Sequence, residues 1–177
     1  NVMGVEQHGN MDKVGYELYN KLLKESLGEV TKDQEVELDI NMDAYIPEEY
    51  VSSSSSRMDA YKRIAEIVTD EDRKRVTDLL IENYGDIPSE VENLVTIARL
   101  KVAAKNRGAV KVVIGAKRSY IELKDLSCLN EDGFIDKINS RKGKIALEFG
   151  VSPLLDFTAA GKTGEEIAQF MLETLQK

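Results

Sequence analysis

The sequence predicts an α+β fold: a central helical bundle with a small mixed or antiparallel sheet, preceded by a helical arm. Three observations carry this. Residues 36–42 alternate apolar and polar, the period of a half-buried strand. Between residues 56 and 108 apolar residues recur at helical spacing, punctuated by capping residues and glycines. After residue 108 short β-branched runs and turns take over, so helices are grouped centrally and strands late. Hydrophobic residues make up 42% of the 177, enough to build a core, so wholesale disorder is not expected.

The arm comes first. Asn10 is an N-cap, and Met11, Val14, Leu18 and Leu22 follow on one helical face, with Gly28 as the stop. Residues 29–35 are polar and charged and read as a linker. Val36, Leu38, Ile40 and Met42 then alternate with Glu37, Asp39, Asn41 and Asp43, giving a strand with a wet acidic face that ends at Tyr45-Ile46-Pro47. The run Ser52 to Ser56 reads as a flexible surface loop whose last member caps a helix, with Asp59 three residues on.

Two helices follow as a hairpin. The first carries Met58, Tyr61, Ala65 and Val68. The second opens at Thr69-Asp70-Glu71-Asp72, a capping-box variant with acids where the helix dipole favours them. Its apolar face is Val76, Leu79, Leu80 and Tyr84, and Gly85 stops it. Pro88 suits the first turn of a longer helix. Val91, Leu94, Val95, Ala98 and Val102 line one face, and Ile97 and Leu100 widen the apolar arc, which predicts burial on more than one side. Gly108 is the expected residue just past its end.

The last third reads as a hairpin, Val110–Ile114 and Tyr120–Leu123, around Gly115-Ala116-Lys117. Asn130 is expected to cap a short helix bearing Phe134, Ile135 and Ile138. Lys144 to Phe149 reads as a third strand and Leu154 to Phe157 as another. A final helix begins at Thr163, with Glu166 completing a capping box and Ile167, Phe170, Met171 and Leu175 as its apolar face.

Composition removes several function classes. The apolar runs fall far short of the roughly 20 residues of a membrane span. No basic-then-apolar signal pattern opens the chain, and position 1 is Asn rather than Met, so a piece of a longer protein is expected. Cys128 is the one cysteine and His8 the one histidine, so neither an internal disulfide nor the usual zinc ligand set is available. A lone cysteine fits a reducing cytoplasm, the expected location. A Ser-His-Asp or Cys-His mechanism has only His8 to use, and no catalytic residue is assigned.

The net charge of −8 is unevenly spread. Residues 28–98 hold 18 acids and 7 bases, whereas residues 99–124 hold 1 acid and 8 bases. A chain this acidic is a poor general DNA binder and suits a basic protein surface. The basic 99–124 segment is the best local case for nucleic acid, as an accessory DNA-binding module. With Tyr120 its one aromatic, it makes a weak stacking platform.

Other chemical motifs are thin. Gly161-Lys162-Thr163 looks like the end of a phosphate-binding loop, but position 156, where that motif needs glycine, is Asp. Thr163 is more simply a helix cap. The paired acids Glu48-Glu49, Asp70-Glu71-Asp72 and Glu131-Asp132 fall at turns and helix starts, not in a pocket able to separate their pKa values.

One segment is not explained by helix periodicity. Gly4-Val5-Glu6-Gln7-His8-Gly9-Asn10-Met11, followed by Val14-Gly15-Tyr16-Glu17-Leu18-Tyr19, resembles the stretch after the second motor domain in bacterial transcription-repair coupling factors (Mfd) and the related RecG helicases. There the pattern runs Gly-x-Glu-Gln-x-Gly, then Val-Gly-Phe-x-Leu-Tyr. Tyr16 stands in for Phe, and His8 and Asn10 stand where Ser and His are common. Val36-Glu37-Leu38 leading to Ala44-Tyr45-Ile46-Pro47-Glu48-Glu49-Tyr50, Arg57 to Ala65, and Tyr84-Gly85-Asp86-Ile87-Pro88 followed by Asn93-Leu94 and Ile97-Ala98-Arg99-Leu100 resemble the coupling factors' C-terminal domain, which RecG lacks. Residues 1–108 are covered well and 109–177 more loosely.

The resemblance implies two parts: 1–34, the end of the translocase coupling motif with a linker, and 35–177, a C-terminal regulatory domain. It implies that Gly4, Glu6, Gln7, Gly9 and Gly15 belong to a loop coupling ATP hydrolysis to translocation. It implies a parent that is an ATP-dependent DNA translocase, with ATP and Mg in its motor domains. That parent releases RNA polymerase stalled at lesions and recruits UvrA for nucleotide excision repair. The C-terminal domain would mask the UvrA-binding surface of an N-terminal UvrB-like module until activation. For this fragment the resemblance implies no catalysis and no cofactor, because it carries no Walker motif.

Overall fold

The structure is a computed structural model that describes Tyr19, Lys21 and residues 35–177. The expected arm helix from Asn10, its Gly28 stop and most of the linker lie outside the described residues. So do Gly4, Glu6, Gln7, Gly9 and Gly15.

The fold is α+β, with five helices and a five-stranded mixed sheet among the described residues. It comprises two compact units. One is built on Asp43–Arg99, the other on Leu100–Lys177 with the segment ending at Met42.

The first unit is helical. Helix α1 spans Ser54–Ala65, α2 spans Asp70–Tyr84, and α3 spans Ser89–Asn106, whose last turns belong to the second unit. Helix α1 starts earlier than expected. Ser53, not Ser56, is the N-cap, and its side chain accepts from the Ser56 amide. The serine run is therefore the cap and first turn of a helix rather than a flexible loop, since serine suits both.

The buried stripe of α1 is Ala60, Tyr61, Ile64 and Ala65. Met58, expected on that face, is 50% exposed, because it stands about 90° around the helix from the stripe's centre. Val68, also expected there, is 48% exposed and lies beyond the helix end, where helical periodicity no longer applies.

The Thr69 capping box forms as expected. Its hydroxyl accepts from the Asp72 amide at 3.0 Å, and the Asp72 carboxylate accepts from the Thr69 amide at 3.0 Å. Leu80 is buried on α2, Val76 and Leu79 are half-buried, and Tyr84 is exposed against expectation, its ring against Tyr50. Helix α3 is buried nearly all round, as its wide apolar arc predicts: Val91, Leu94, Ile97, Ala98 and Leu100 are each at most 1% exposed.

The Ala44–Tyr50 segment is tied down in this unit. The Ile46 amide donates to the Tyr61 hydroxyl at 2.9 Å, Asn93 donates to the Asp43 carbonyl at 2.8 Å, and the Tyr50 hydroxyl donates to the Gly85 carbonyl at 2.9 Å. Ala44, Ile46 and Val51 are buried. Each fully buried aliphatic side chain of this kind contributes about 1.5–3 kcal/mol.

The second unit carries the sheet, ordered β1-β2-β3-β5-β4. Strand β1 is Glu37–Ile40, β2 Ala109–Ile114, β3 Ser119–Leu123, β4 Ala146–Glu148 and β5 Leu154–Asp156. Strand β1 pairs with β2 in parallel, and the other pairs are antiparallel. A parallel pair cannot be joined by a tight turn, and here residues 41–108 intervene. Val112, Ile114, Ile121, Leu123 and Leu155 alternate into one face, where helix α4 (Phe134–Asn139) and helix α5 (Gly164–Leu175) supply Phe134, Ile138, Met171 and Leu172 to the same core.

Three local expectations change. The helix bearing Phe134 is capped by Gly133 in a left-handed conformation, not by Asn130, which ends a separate 3₁₀ turn, Leu126–Asn130. The Lys144–Phe149 strand shortens to Ala146–Glu148, leaving Phe149 72% exposed at the end of an edge strand. Leu154–Asp156 inserts between β3 and β4, a non-local pairing that local pattern does not encode.

Candidate functional site

The acidic surface of the first unit has a defined shape. Between α1 and α2 runs an open groove of about 620 Å³. Its apolar lining is Ile67, Val76 and Leu79, and its polar lining is Arg63, Glu66, Asp72, Arg75, Asp78 and Glu82. Both arginines are engaged: Arg63 holds Asp59 at 2.9 Å and Arg75 holds Asp72 at 3.1 Å. Glu66, Asp78 and Glu82 line the groove without a direct ion pair among the described residues, so it combines apolar lining with net negative charge.

The groove has this charge because of local sequence rules. The Thr69 cap and the helix dipole favour acids in the first turn of α2, which places Asp72 beside the groove. Backbone N–H donation from Thr69 and Val68 holds the Asp72 carboxyl well below its ordinary value, at about 2. Asp78 and Glu82, one turn apart at i,i+4, also line the groove.

The basic 99–124 segment is not gathered into one surface. Arg99 pairs with Asp70 at 3.4 Å, and Lys111 with Glu37 at 3.8 Å. Arg118 holds Glu148 at 2.9 Å and Asp156 at 3.0 Å. Lys101 and Arg107 are buried, and Arg107 donates to the Leu175 carbonyl at 2.8 Å with its guanidinium 4.2 Å from the Phe134 ring centroid. Lys117 and Lys124 are exposed. The positive charge counted along the chain is mostly spent in pairs and in the core.

Gly161-Lys162-Thr163 borders a small polar pocket of about 270 Å³, beside the β2–β3 turn. Thr163 caps α5: its hydroxyl accepts from the Glu166 amide at 3.1 Å. The Glu166 carboxylate in turn accepts from the Lys162 amide at 2.7 Å. Two of the amides that a phosphate cradle would need are thus bonded within the chain, and the nearest carboxylate repels an anion.

Among the described residues no group of three His, Cys, Asp or Glu side chains is placed to hold a metal ion. Among the same residues, no helix is long and apolar enough to cross a membrane.

Comparison with known proteins agrees on one family. A family model described as TRCF domain matches residues 40–134. The chain is 40% identical over 111 residues to the transcription-repair-coupling factor of Bacillus subtilis (strain 168), covering 59% of this chain and 9% of that protein. It is 29% identical over 152 residues to the transcription-repair-coupling factor of Borreliella burgdorferi, covering 83% of this chain and 14% of that protein. The chain therefore spans only about a tenth of the length of these relatives. The fold superposes with a TM-score of 0.68 on a crystal structure of the C-terminal domain of a transcription-repair coupling factor. The two are 22% identical, and the match covers 80% of this chain and 91% of that one.

Proposed function

The chain belongs to the transcription-repair coupling factor family, and from that premise we propose that it is an autoinhibitory interaction domain. In a longer parent protein, it masks the UvrA-binding surface of an N-terminal UvrB-like module until activation. The observation that carries this is the α1–α2 groove, with its apolar lining and the acids Glu66, Asp78 and Glu82, which make no direct ion pair among the described residues. Such a surface fits a basic partner with an apolar anchor: the charge steers encounter and the apolar contact holds it.

The parent is proposed to be an ATP-dependent DNA translocase that frees RNA polymerase stalled at lesions on double-stranded DNA and recruits UvrA in the cytoplasm. ATP and magnesium act in its motor domains. This chain itself hydrolyses no ATP and contributes Gly4, Glu6, Gln7, Gly9 and Gly15 as the end of the coupling loop.

Isothermal titration of the chain against the separately expressed UvrB-like module, at low and moderate salt, tests the masking role. Salt-sensitive binding that UvrA competes away is expected. Binding that UvrA leaves untouched would mean that the domain docks without masking, and no binding at either salt would remove the groove's assignment.

A further inference from the structure

The second unit carries a basic turn outside both the 99–124 segment and the residues matched by the family model. From residue 137 to 147 the chain has four bases, Lys137, Arg141, Lys142 and Lys144, and no acid. Among the described residues none of the four has a carboxylate within ion-pair distance, in contrast to Arg99, Lys111 and Arg118. The nearest acids in sequence are Asp136 and Glu148, and Glu148 holds Arg118 at 2.9 Å.

Local geometry presents these cations together. Arg141 lies two residues past the end of α4, and its Nη1 donates to the Lys137 carbonyl at 3.2 Å, while the Lys137 ammonium donates to the Gln176 carbonyl at 2.8 Å. The chain then folds back on itself, with the Lys144 and Ile145 amides donating to the Arg141 carbonyl at 3.0 and 3.1 Å. Gly143 makes this possible at φ +90, and a Cβ there would meet nothing within 4 Å, so the turn is open to solvent. Half-buried Phe170 is shared by two of the cations: the Arg141 guanidinium lies 5.7 Å and the Lys144 ammonium 5.2 Å from its ring centroid. Burial, together with the charges of Arg141 and Arg107, pushes the Lys137 ammonium below its ordinary pKa, as expected where like charges crowd.

We propose that this turn is a contact for the phosphate backbone of duplex DNA. Backbone contact requires cations and no base-reading group, and that is what the turn offers. Two cations occupy Phe170, so it is no platform for stacking single-stranded bases. A protein partner would need an exposed apolar or aromatic anchor; the exposed Phe149 and Val151 lie beyond β4 rather than on the turn, whose four cations supply none. The net charge of −8 does not forbid the contact, because acids farther than about 10 Å are screened at 0.1 M salt. This contact is independent of the masking role of the α1–α2 groove.

The test is fluorescence anisotropy of a labelled 20-base-pair duplex titrated with the whole chain at 50 and 200 mM NaCl. Three proteins are compared: wild type, K142E/K144E, and the charge-matched control K117E/K124E. Three to four neutralised phosphates predict a roughly 40- to 150-fold loss of wild-type affinity between the two salts. K142E/K144E should weaken binding at least tenfold more than the control, with the neutral K142Q/K144Q in between and all melting curves alike. No duplex binding at 50 mM would overturn the proposal, as would equal weakening by both reversals. Binding to a polyglutamate peptide that depends on Lys142 and Lys144, with none to duplex, would also overturn it and assign the turn to an acidic protein.

Discussion

Gly108→Ala is the sharpest test of the packing in the sheet unit. Gly108 follows α3 at φ +80, a conformation that costs an L-residue about 1–2 kcal/mol. Its backbone is pinned: its amide donates to the Lys105 carbonyl at 3.0 Å and its carbonyl accepts from the Lys124 amide at 2.9 Å. A Cβ added there would stand 2.4 Å from Cys128 Sγ, well inside contact distance, with Cys128 Cβ next at 3.4 Å. Relieving such an overlap costs about 1–3 kcal/mol, less if the thiol rotates away. The expected total is about 2–5 kcal/mol, or a melting temperature lower by roughly 5–20 °C for a domain of this size. A double-mutant cycle separates the two causes. With Cys128→Ala in place the overlap disappears, so Gly108→Ala should then cost only the conformational part, about 1–2 kcal/mol. Urea unfolding of the four proteins gives the coupling energy. Additive effects of the two substitutions, or a Gly108→Ala change under about 0.5 kcal/mol, would refute the steric account.

Three further outcomes follow from the same structure. Arg107→Met removes donation to the Leu175 carbonyl and the contact with Phe134, but also a buried Nη1 with no acceptor among the described residues. The losses are partly offset, so a cost of about 1–3 kcal/mol is expected, seen as faster amide exchange in the last turn of α5. Asp72 is held down to about 2, below its ordinary carboxylate value, so its contribution to stability is present above that ordinary value and is lost as pH falls towards 2. Asp72→Asn should therefore flatten the urea midpoint between pH 4 and 2 without abolishing its slope, because Asp70, Asp125 and Asp156 are also lowered. Reversing Glu66, Asp78 and Glu82 to Lys should weaken docking of the UvrB-like module tenfold or more at low salt by titration calorimetry, and leave thermal unfolding nearly unchanged.

The features legible in the sequence are those fixed within a few residues. Thr69 with Asp72, Thr163 with Glu166 and the hairpin closed by Gly115 rest on bonds between near neighbours, the alternation from Val36 to Ile40 follows the strand's own period of two, and the fold class followed from them. What local pattern did not fix was either degenerate or non-local. Serine is both a loop former and an N-cap, so the start of α1 slipped from Ser53 to Ser56. The place of β5 between β3 and β4 depends on pairing Tyr120 with Asp156, which no short window contains. The 99–124 charge count failed as a surface for the same reason: Arg118 meets Glu148 and Asp156, 30 and 38 residues farther on. The signal for the 137–144 turn was present but of another kind, the absence of acids through residue 147 rather than an excess of bases.

That distinction decides how the two candidate surfaces can be told apart. Both are electrostatic, so both lose affinity with salt, and a salt series alone assigns neither. Charge reversal does, because its effects on the two partners have opposite sign. K142E/K144E makes the chain more negative by four charges, which should abolish duplex contact yet leave docking of a basic module intact or slightly faster. Reversing Glu66, Asp78 and Glu82 makes the chain less negative by six, which should abolish module docking and modestly favour duplex association. A pure net-charge effect gives the same signs, so each reversal is read against a charge-matched one elsewhere, as K142E/K144E is against K117E/K124E. If only the local reversal abolishes its partner, binding resides in the local placement of charge. If both merely track net charge, neither the groove nor the turn is a site, and the uneven charge along this chain is a solubility feature with no partner of its own.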